Sequence, residues 1–119
     1  MIVKIDQQTI NSTCLLTLAG NLDSFSVATL KERMDSQFGA GVHSFIIDLS
    51  GVEFMDSAGL GQLVAALKIS SSHGGDVILV GANKGVKDLL RMTRLDTIFR
   101  CVETIEQAQS ALEETTGEG

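Results

Sequence analysis

A serine in this sequence follows an aspartate where the surrounding pattern indicates the start of a helix. Asp56 and Ser57 precede apolar residues that recur at helical spacing, namely Leu60, Leu63, Val64 and Leu67. This spacing predicts a helix from about Ser57 to Ser72.

Asp56 is suited to the N-cap, because its carboxylate can accept a backbone N–H from Ala58 or Gly59. Ser57 would then lie in the first turn, where unsatisfied N–H groups favour an anion such as phosphate, unless it is an ordinary first-turn residue.

Two glycines, Gly59 and Gly61, lie inside this predicted helix, where each costs roughly 0.5 to 1 kcal/mol relative to alanine. Either they let the helix pack closely against a sheet, or they form with Ser57, Gln62 and Ala65 a flat surface that a partner can approach closely. Both explanations stay open. The segment also resembles a dinucleotide-binding fingerprint, but this signal is weak because Val64 replaces the third glycine.

Ser57 lacks the surroundings of a catalytic nucleophile. Met55 occupies the position of the upstream glycine in the elbow of serine hydrolases. His73 lies at the far end of the same predicted helix, about 24 Å away at about 1.5 Å per residue. His43 precedes a strand at the opposite edge of the sheet, and a general base must lie within about 3 Å. Because Lys84-Gly85 also has the wrong order for a phosphate-binding loop, we expect a non-enzyme without catalytic residues, metal or cofactor.

Strands and helices alternate along the chain and would place Ser57 at one edge of a sheet. Apolar periodicity and turn residues predict strands at about 2–9, 13–19, 44–49, 77–80 and 98–102. Helices are predicted to start near Ser24 or Ser26, Ser57, Asn83 and Thr104. The order ββαβαβαβα implies an α/β fold with an open, mixed, mostly parallel sheet of four to five strands and about four helices. Function is expected beyond the carboxyl ends of the strands, after Leu49 and Val80.

The composition is that of one globular domain. The chain has 119 residues, of which 44% are hydrophobic and 20% charged, and we expect a single domain over 1–114 followed by a disordered tail at 115–119. The net charge of −6 and the absence of Trp and Tyr argue against a nucleic-acid binder. No apolar run approaches the roughly 20 residues that span a bilayer, so a cytoplasmic protein is expected. Cys14 and Cys101 lie in apolar segments and are expected to be reduced core residues.

Much of the positive charge follows a helical spacing in the third predicted helix. The residues concerned are Lys84, Lys87, Arg91 and Arg94. A solvated helix face explains this pattern, and a docking stripe for an acidic partner is the functional alternative.

The segment from Asp48 to Gly61, DLSGVEFMDSAGLG, resembles the signature of the STAS domain family, which includes the bacterial anti-sigma factor antagonists. The resemblance extends over nearly the whole chain. Gly20-Asn21-Leu22-Asp23 is similar to the family's loop after the second strand. The segment 95–99, followed by Ala108 and Leu112, resembles the family's closing segment, so that only the tail falls outside.

The resemblance implies a switch that acts through protein binding. In this family the serine of the Asp-Ser motif is phosphorylated by a serine kinase that is also an anti-sigma factor and has a histidine-kinase-like ATPase fold. Ser57 matches that serine, Asp56 matches the aspartate of the motif, and Asp23 matches a nearby acidic position that contacts the kinase. The unphosphorylated form would bind the kinase and free a sigma factor, the phosphorylated form would dissociate, and a phosphatase would reset Ser57. The implied partner-binding residues are Asp23, Asp56, Ser57, Ala58, Gly59, Gly61 and Gln62.

A second interpretation of the same resemblance stays open. The STAS domain could serve as a scaffold, or as a regulatory subunit of a larger signalling assembly or a transporter. In that case Ser57 would mainly start a helix.

Overall fold

The computed structural model describes residues 3–117 of the chain, and the side chains of residues 3–113. Its strands are β1 (Lys4–Ile10), β2 (Thr13–Leu22), β3 (Ser44–Met55), β4 (Val77–Val80) and β5 (Arg100–Val102). Its helices are α1 (Val27–Gly39), α2 (Ser57–Ser72), α3 (Lys84–Met92) and α4 (Ile105–Gly117), with a short 3₁₀ helix at Leu95–Thr97. The predicted order ββαβαβαβα is confirmed.

The five strands form one sheet in the order β1-β2-β3-β4-β5. The hairpin partners β1 and β2 are antiparallel, and the turn between them contains Asn11 with a positive φ of 55°. All other neighbours are parallel. The predicted mixed, mostly parallel α/β sheet is therefore confirmed.

The two faces of the sheet carry separate apolar clusters, because side chains alternate along a strand. Phe45, Ile47 and Leu49 of β3 pack in the larger cluster, to which α1, α2 and α3 contribute. Ile46 of β3 packs on the other face, in a smaller cluster with α4. This arrangement leaves α2 between the sheet and solvent, with its first turn free to carry a site.

The central strand β3 is longer than the sequence predicts. The expected strand ended at Leu49, but β3 continues parallel to β2 as far as the pair Leu22 and Met55, with register shifts on the way. Ser50-Gly51 has the composition of a turn, yet a Cβ on Gly51 would lie 2.8 Å from the carbonyl oxygen of Leu18. The glycine thus lets the two strands approach closely. The strand end beyond which the sequence analysis expects function is consequently Met55 rather than Leu49.

Two further expectations differ from the structure at the carboxyl-terminal end. Cys14 is buried as expected, whereas Cys101 is exposed, because β5 is the edge strand of the sheet. Helix α4 continues to Gly117 and so includes 115–117, which the sequence assigned to a disordered tail, while 118–119 lie outside the described residues.

Within the described part of the chain, none of the helices has the length and apolar character needed to cross a membrane.

Candidate functional site

Helix α2 begins as the sequence predicts. Asp56 has an extended backbone, and its Oδ1 accepts hydrogen bonds from the N–H groups of Ala58 at 2.9 Å and Gly59 at 3.2 Å. Ser57 is the first residue of the helix, and its side chain is exposed. Among the described residues, the Ser57 hydroxyl has no hydrogen-bond partner. The hydroxyl is thus presented to solvent at the positive end of the helix.

The end of β2 holds this first turn in place. Leu22 and Met55 are paired across the two strands, and the N–H of Asp56 donates to the Leu22 carbonyl at 3.3 Å. A Cβ on Gly59 would lie 2.4 Å from the same carbonyl oxygen and 2.9 Å from Cγ of Leu22. Gly59 is therefore needed for close packing, the first of the two explanations left open above.

Gly61 has no such packing constraint. It is exposed, and a Cβ built on it would meet nothing within 4 Å. No packing constraint explains the missing side chain, so Gly61 leaves open surface on α2. Gln62 follows it and is partly exposed. The two glycines thus differ: Gly59 permits close packing against Leu22, whereas the surface around Gly61 is open.

Asp23 lies one residue beyond Leu22 and organises the loop that leads to α1. Its Oδ1 accepts hydrogen bonds from the N–H groups of Phe25 at 3.0 Å and Ser26 at 3.2 Å. The buried Ser26 hydroxyl accepts from the N–H of Asp23 at 3.0 Å and donates to the Asn21 carbonyl at 2.7 Å. The Asp23 carboxylate is therefore engaged in holding the loop, a role that the sequence analysis did not assign to it.

Sequence reasoning did not single out Phe25, whose side chain is 94% exposed. The available signal was an aromatic residue outside any apolar periodicity, between two serines and two residues after Asp23. A second omission is a groove of about 250 Å³ between the end of β3 and α3, lined in part by Phe54, Met55 and Met92. Both features lie near the residues that the resemblance implies, and both expose apolar surface.

Three carboxylates make this edge acidic. Asp23, Glu53 and Asp56 form no ion pair with any described residue, whereas the basic residues of α3 are largely paired. Asp88 binds Lys84 at 2.9 Å and also Arg91, and hydrogen bonds from Lys84 and then Arg91 lower the pKa of its carboxyl.

The two remaining basic residues of the stripe are Lys87, which forms an ion pair, and Arg94, which lies outside α3. Lys87 contacts Glu103 at 3.5 Å, and Arg94 lies beyond the end of the helix. These contacts favour the solvated-face explanation of the stripe over a docking role.

The two histidines lie together, away from Ser57. Their rings stack with centroids 4.6 Å apart and an interplanar angle of 11°. His73 is the C-cap of α2 and His43 directly precedes β3, so both lie at the end of α2 opposite Ser57. The described residues also contain no group of three or more metal-binding side chains. Neither histidine is placed to act as a base on the Ser57 hydroxyl.

Comparison with known proteins identifies the family of this chain. The STAS domain model matches residues 4–108. The TM1081 homologue of Thermotoga neapolitana is 40% identical over 83 residues, which cover 70% of this chain and 71% of the relative. The anti-sigma-B factor antagonist of Staphylococcus epidermidis is 28% identical over 89 residues, which cover 75% of this chain and 82% of that protein.

Solved structures show the same architecture. The crystal structure of TM1081 from Thermotoga maritima superposes with a TM-score of 0.88 at 28% identity, over 92% of this chain and 94% of that one. The Bacillus protein SpoIIAA, solved in its phosphorylated form, shares the fold with a TM-score of 0.74 at 19% identity, over 91% of this chain and 98% of that one. The chain therefore belongs to the STAS domain family and is related in sequence and fold to anti-sigma factor antagonists.

Proposed function

We propose that this protein is a phosphorylation-switched antagonist of an anti-sigma factor. In its unphosphorylated form it binds an anti-sigma factor serine kinase through the start of α2 and so frees a sigma factor. Phosphorylation of Ser57 by that kinase ends the interaction, and a phosphatase restores it. The observation that carries the proposal is the Ser57 hydroxyl, exposed and unpaired among the described residues, at the first position of a capped helix. The protein thus acts as a cytoplasmic binding module and not as an enzyme.

The fold can accept a phosphate at Ser57 without rearrangement. The side chain is exposed, so the added group stays in water, and the helix N-terminus favours a negative charge nearby. Asp56 already satisfies the N–H groups of Ala58 and Gly59 and keeps doing so after modification. Phosphorylation therefore changes the surface while the helix start remains intact.

The same phosphate opposes binding. It adds about −1.5 to −2 charges beside Asp56, on an edge that also carries Asp23 and Glu53. Burying such a dianion unpaired in an interface costs on the order of 3 to 5 kcal/mol. At about 1.4 kcal/mol per tenfold change, affinity falls by roughly two to four orders of magnitude. A local electrostatic change is sufficient for the switch, and no conformational change is required.

A capture experiment with matched variants tests the proposal. Wild type, Ser57→Ala, Ser57→Asp and the control Ser110→Asp are used as baits in lysate of the source organism, followed by mass spectrometry of bound proteins and of Ser57. Ser110 is an exposed serine on α4, so its variant adds the same charge on the other face of the sheet. We expect an ATPase-fold kinase with every bait except Ser57→Asp, and phosphate on wild-type Ser57.

Two results would contradict this function. Equal recovery of the kinase by Ser57→Ala and Ser57→Asp would refute a switch at Ser57. Recovery of one large assembly or of a transporter by all four baits would favour the scaffold interpretation. Protein concentration must be set by amino-acid analysis, because the chain has no Trp or Tyr to absorb in the near ultraviolet.

A further inference from the structure

The loop between β2 and α1 exposes an aromatic side chain that nothing in the described fold requires. Phe25 is 94% exposed, the highest value among the large hydrophobic side chains of residues 3–113. Burial of a phenyl group stabilises a fold, and this fold gains almost none of that stabilisation from Phe25. A single exposed hydrophobic residue is common on protein surfaces, so the backbone that carries it and its place in the fold decide whether it marks an interaction site. Aromatic residues are enriched in the buried centres of protein–protein interfaces.

The backbone that carries Phe25 is held in one conformation. The Asp23 carboxylate accepts the N–H of Phe25 itself at 3.0 Å. Ser26 is only 2% exposed, and its hydroxyl accepts the N–H of Asp23 and donates to the carbonyl of Asn21. An aromatic group on a fixed loop loses little entropy on binding, because only two side-chain torsions remain to be ordered. The loop therefore presents a pre-organised apolar anchor.

Phe25 also lies at the edge of the sheet that carries Ser57. The loop leaves β2 after Leu22, and α2 starts after Met55, the residue paired with Leu22 in the parallel register. Neighbouring strands are about 4.8 Å apart, so the two segments leave the sheet side by side. A partner that covers Ser57 and Gly61 has the Phe25 loop directly beside it.

We infer that Phe25 inserts into a hydrophobic pocket of the partner that binds the Ser57 surface, and that Asp23 supports binding by positioning Phe25. The inference rests on the proposed function and deepens it, since it names the chemistry of the complementary site: a concave apolar pocket next to the surface that faces Ser57. It also gives Asp23 a role different from the direct kinase contact that the family resemblance implies. The carboxylate acts as a hydrogen-bond acceptor within its own loop, and its charge is secondary.

Direct binding measurements separate these roles. The probe is the purified anti-sigma factor serine kinase of the same organism, immobilised and titrated with each variant. Phe25→Ala should weaken binding about 30-fold or more, as expected for loss of an interface anchor. Ile98→Ala is the matched control, because Ile98 is also an exposed large hydrophobic but precedes β5, at the amino-terminal edge of the parallel strands. Its affinity should stay within about twofold of wild type. Thermal unfolding should be unchanged for Phe25→Ala, because Phe25 is 94% exposed.

Two substitutions of Asp23 test the positioning role. Asp23→Asn keeps an oxygen that can accept the loop hydrogen bonds but removes the charge, so it should bind nearly as well as wild type. Asp23→Ala removes the acceptor and should weaken binding as Phe25→Ala does. The double variant Asp23→Ala with Phe25→Ala should bind no more weakly than Phe25→Ala alone, because both changes remove the same anchor. If Asn weakens binding as much as Ala and the double variant is additive, Asp23 is a direct charge contact and the positioning role is refuted.

Ser57→Asp is measured alongside to separate this inference from the proposed function. If Ser57→Asp weakens binding and Phe25→Ala does not, the anchor is refuted while the switch stands. If Phe25→Ala weakens binding and Ser57→Asp does not, the anchor is supported and the switch at Ser57 is refuted. If neither variant changes the affinity, or wild type does not bind the kinase, both proposals are wrong.

Discussion

Adding one methyl group to each of the two glycines of α2 should change stability in opposite directions. In Gly59→Ala the new Cβ would lie 2.4 Å from the Leu22 carbonyl oxygen, a backbone atom of β2 that cannot rotate away. In Gly61→Ala the new Cβ meets nothing within 4 Å. The pair compares a blocked and an open position within the same helix.

The magnitude follows from two terms. Alanine is favoured over glycine inside a helix by roughly 0.5 to 1 kcal/mol, and both variants gain this amount. Gly61→Ala should therefore raise the free energy of unfolding by about that much. Overpacking typically costs about 1 to 3 kcal/mol, and the rigid contact at Gly59 favours the upper part of that range. Gly59→Ala should consequently be destabilised by a net amount of about 1 to 2 kcal/mol.

Urea unfolding followed by far-ultraviolet circular dichroism measures both variants. The difference between their unfolding free energies isolates the contact with Leu22, since the helix-propensity gain is common to both. An equal slope against urea confirms that the same surface is exposed on unfolding. If the two variants shift stability by the same amount and in the same direction, the close approach of α2 to β2 does not explain Gly59. The Gly61→Ala variant also reports on binding, because its methyl group occupies the surface proposed to contact the kinase.

Three further predictions concern the caps and a buried thiol. Asp56→Ala should lower the free energy of unfolding by about 0.5 to 2 kcal/mol, and Asp56→Asn by less, because the amide oxygen can still cap α2 in the same urea assay. Asn83→Ala should cost about 1 to 3 kcal/mol, more than loss of a cap alone, since Asn83 caps α3 and also donates to the Val52 carbonyl of β3 at 3.0 Å. Burial raises the pKa of the Cys14 thiol to about 11 from 9.0, so unfolding free energy should be fully retained below about pH 9 and decrease from there towards pH 11. Cys14→Ala should lack this part of the decrease, and alkylation followed by mass spectrometry should modify exposed Cys101 before Cys14.

Helix starts were predictable because the interactions that create them are local. Asp56 caps α2 through N–H groups two and three residues away, and Asn83 caps α3 through the N–H of Val86. Thr104 and Gln107 exchange hydrogen bonds at the start of α4, as the spacing of their residue types predicts. Each of these capping hydrogen bonds stays within the first turn of its own helix, so a short window of sequence contains the capping partners. The additional bond from Asn83 to the Val52 carbonyl of β3 lies outside such a window. The apolar periodicities were equally informative, because they depend on the geometry of a single helix or strand.

Contacts between distant segments could not be predicted from such windows. Gly51 resembles a turn residue in sequence, yet it lies within β3 because the backbone of Leu18 is close to it. Gly59 and Gly61 are alike in sequence, and only the position of Leu22 makes one a packing requirement and the other open surface. Cys101 has an apolar context, but its strand forms the edge of the sheet and leaves it exposed.

The sequence by itself therefore determined the order of elements, the helix caps and the Asp56-Ser57 motif with its family resemblance. Tertiary structure alone decided which side chains this edge of the sheet exposes to solvent. Exposure of Phe25 depends on a loop that Asp23 and Ser26 close and on a strand pair that brings the loop beside α2. Periodicity describes which face of one element is apolar, whereas exposure at an edge depends on all the elements that pack, or do not pack, around it.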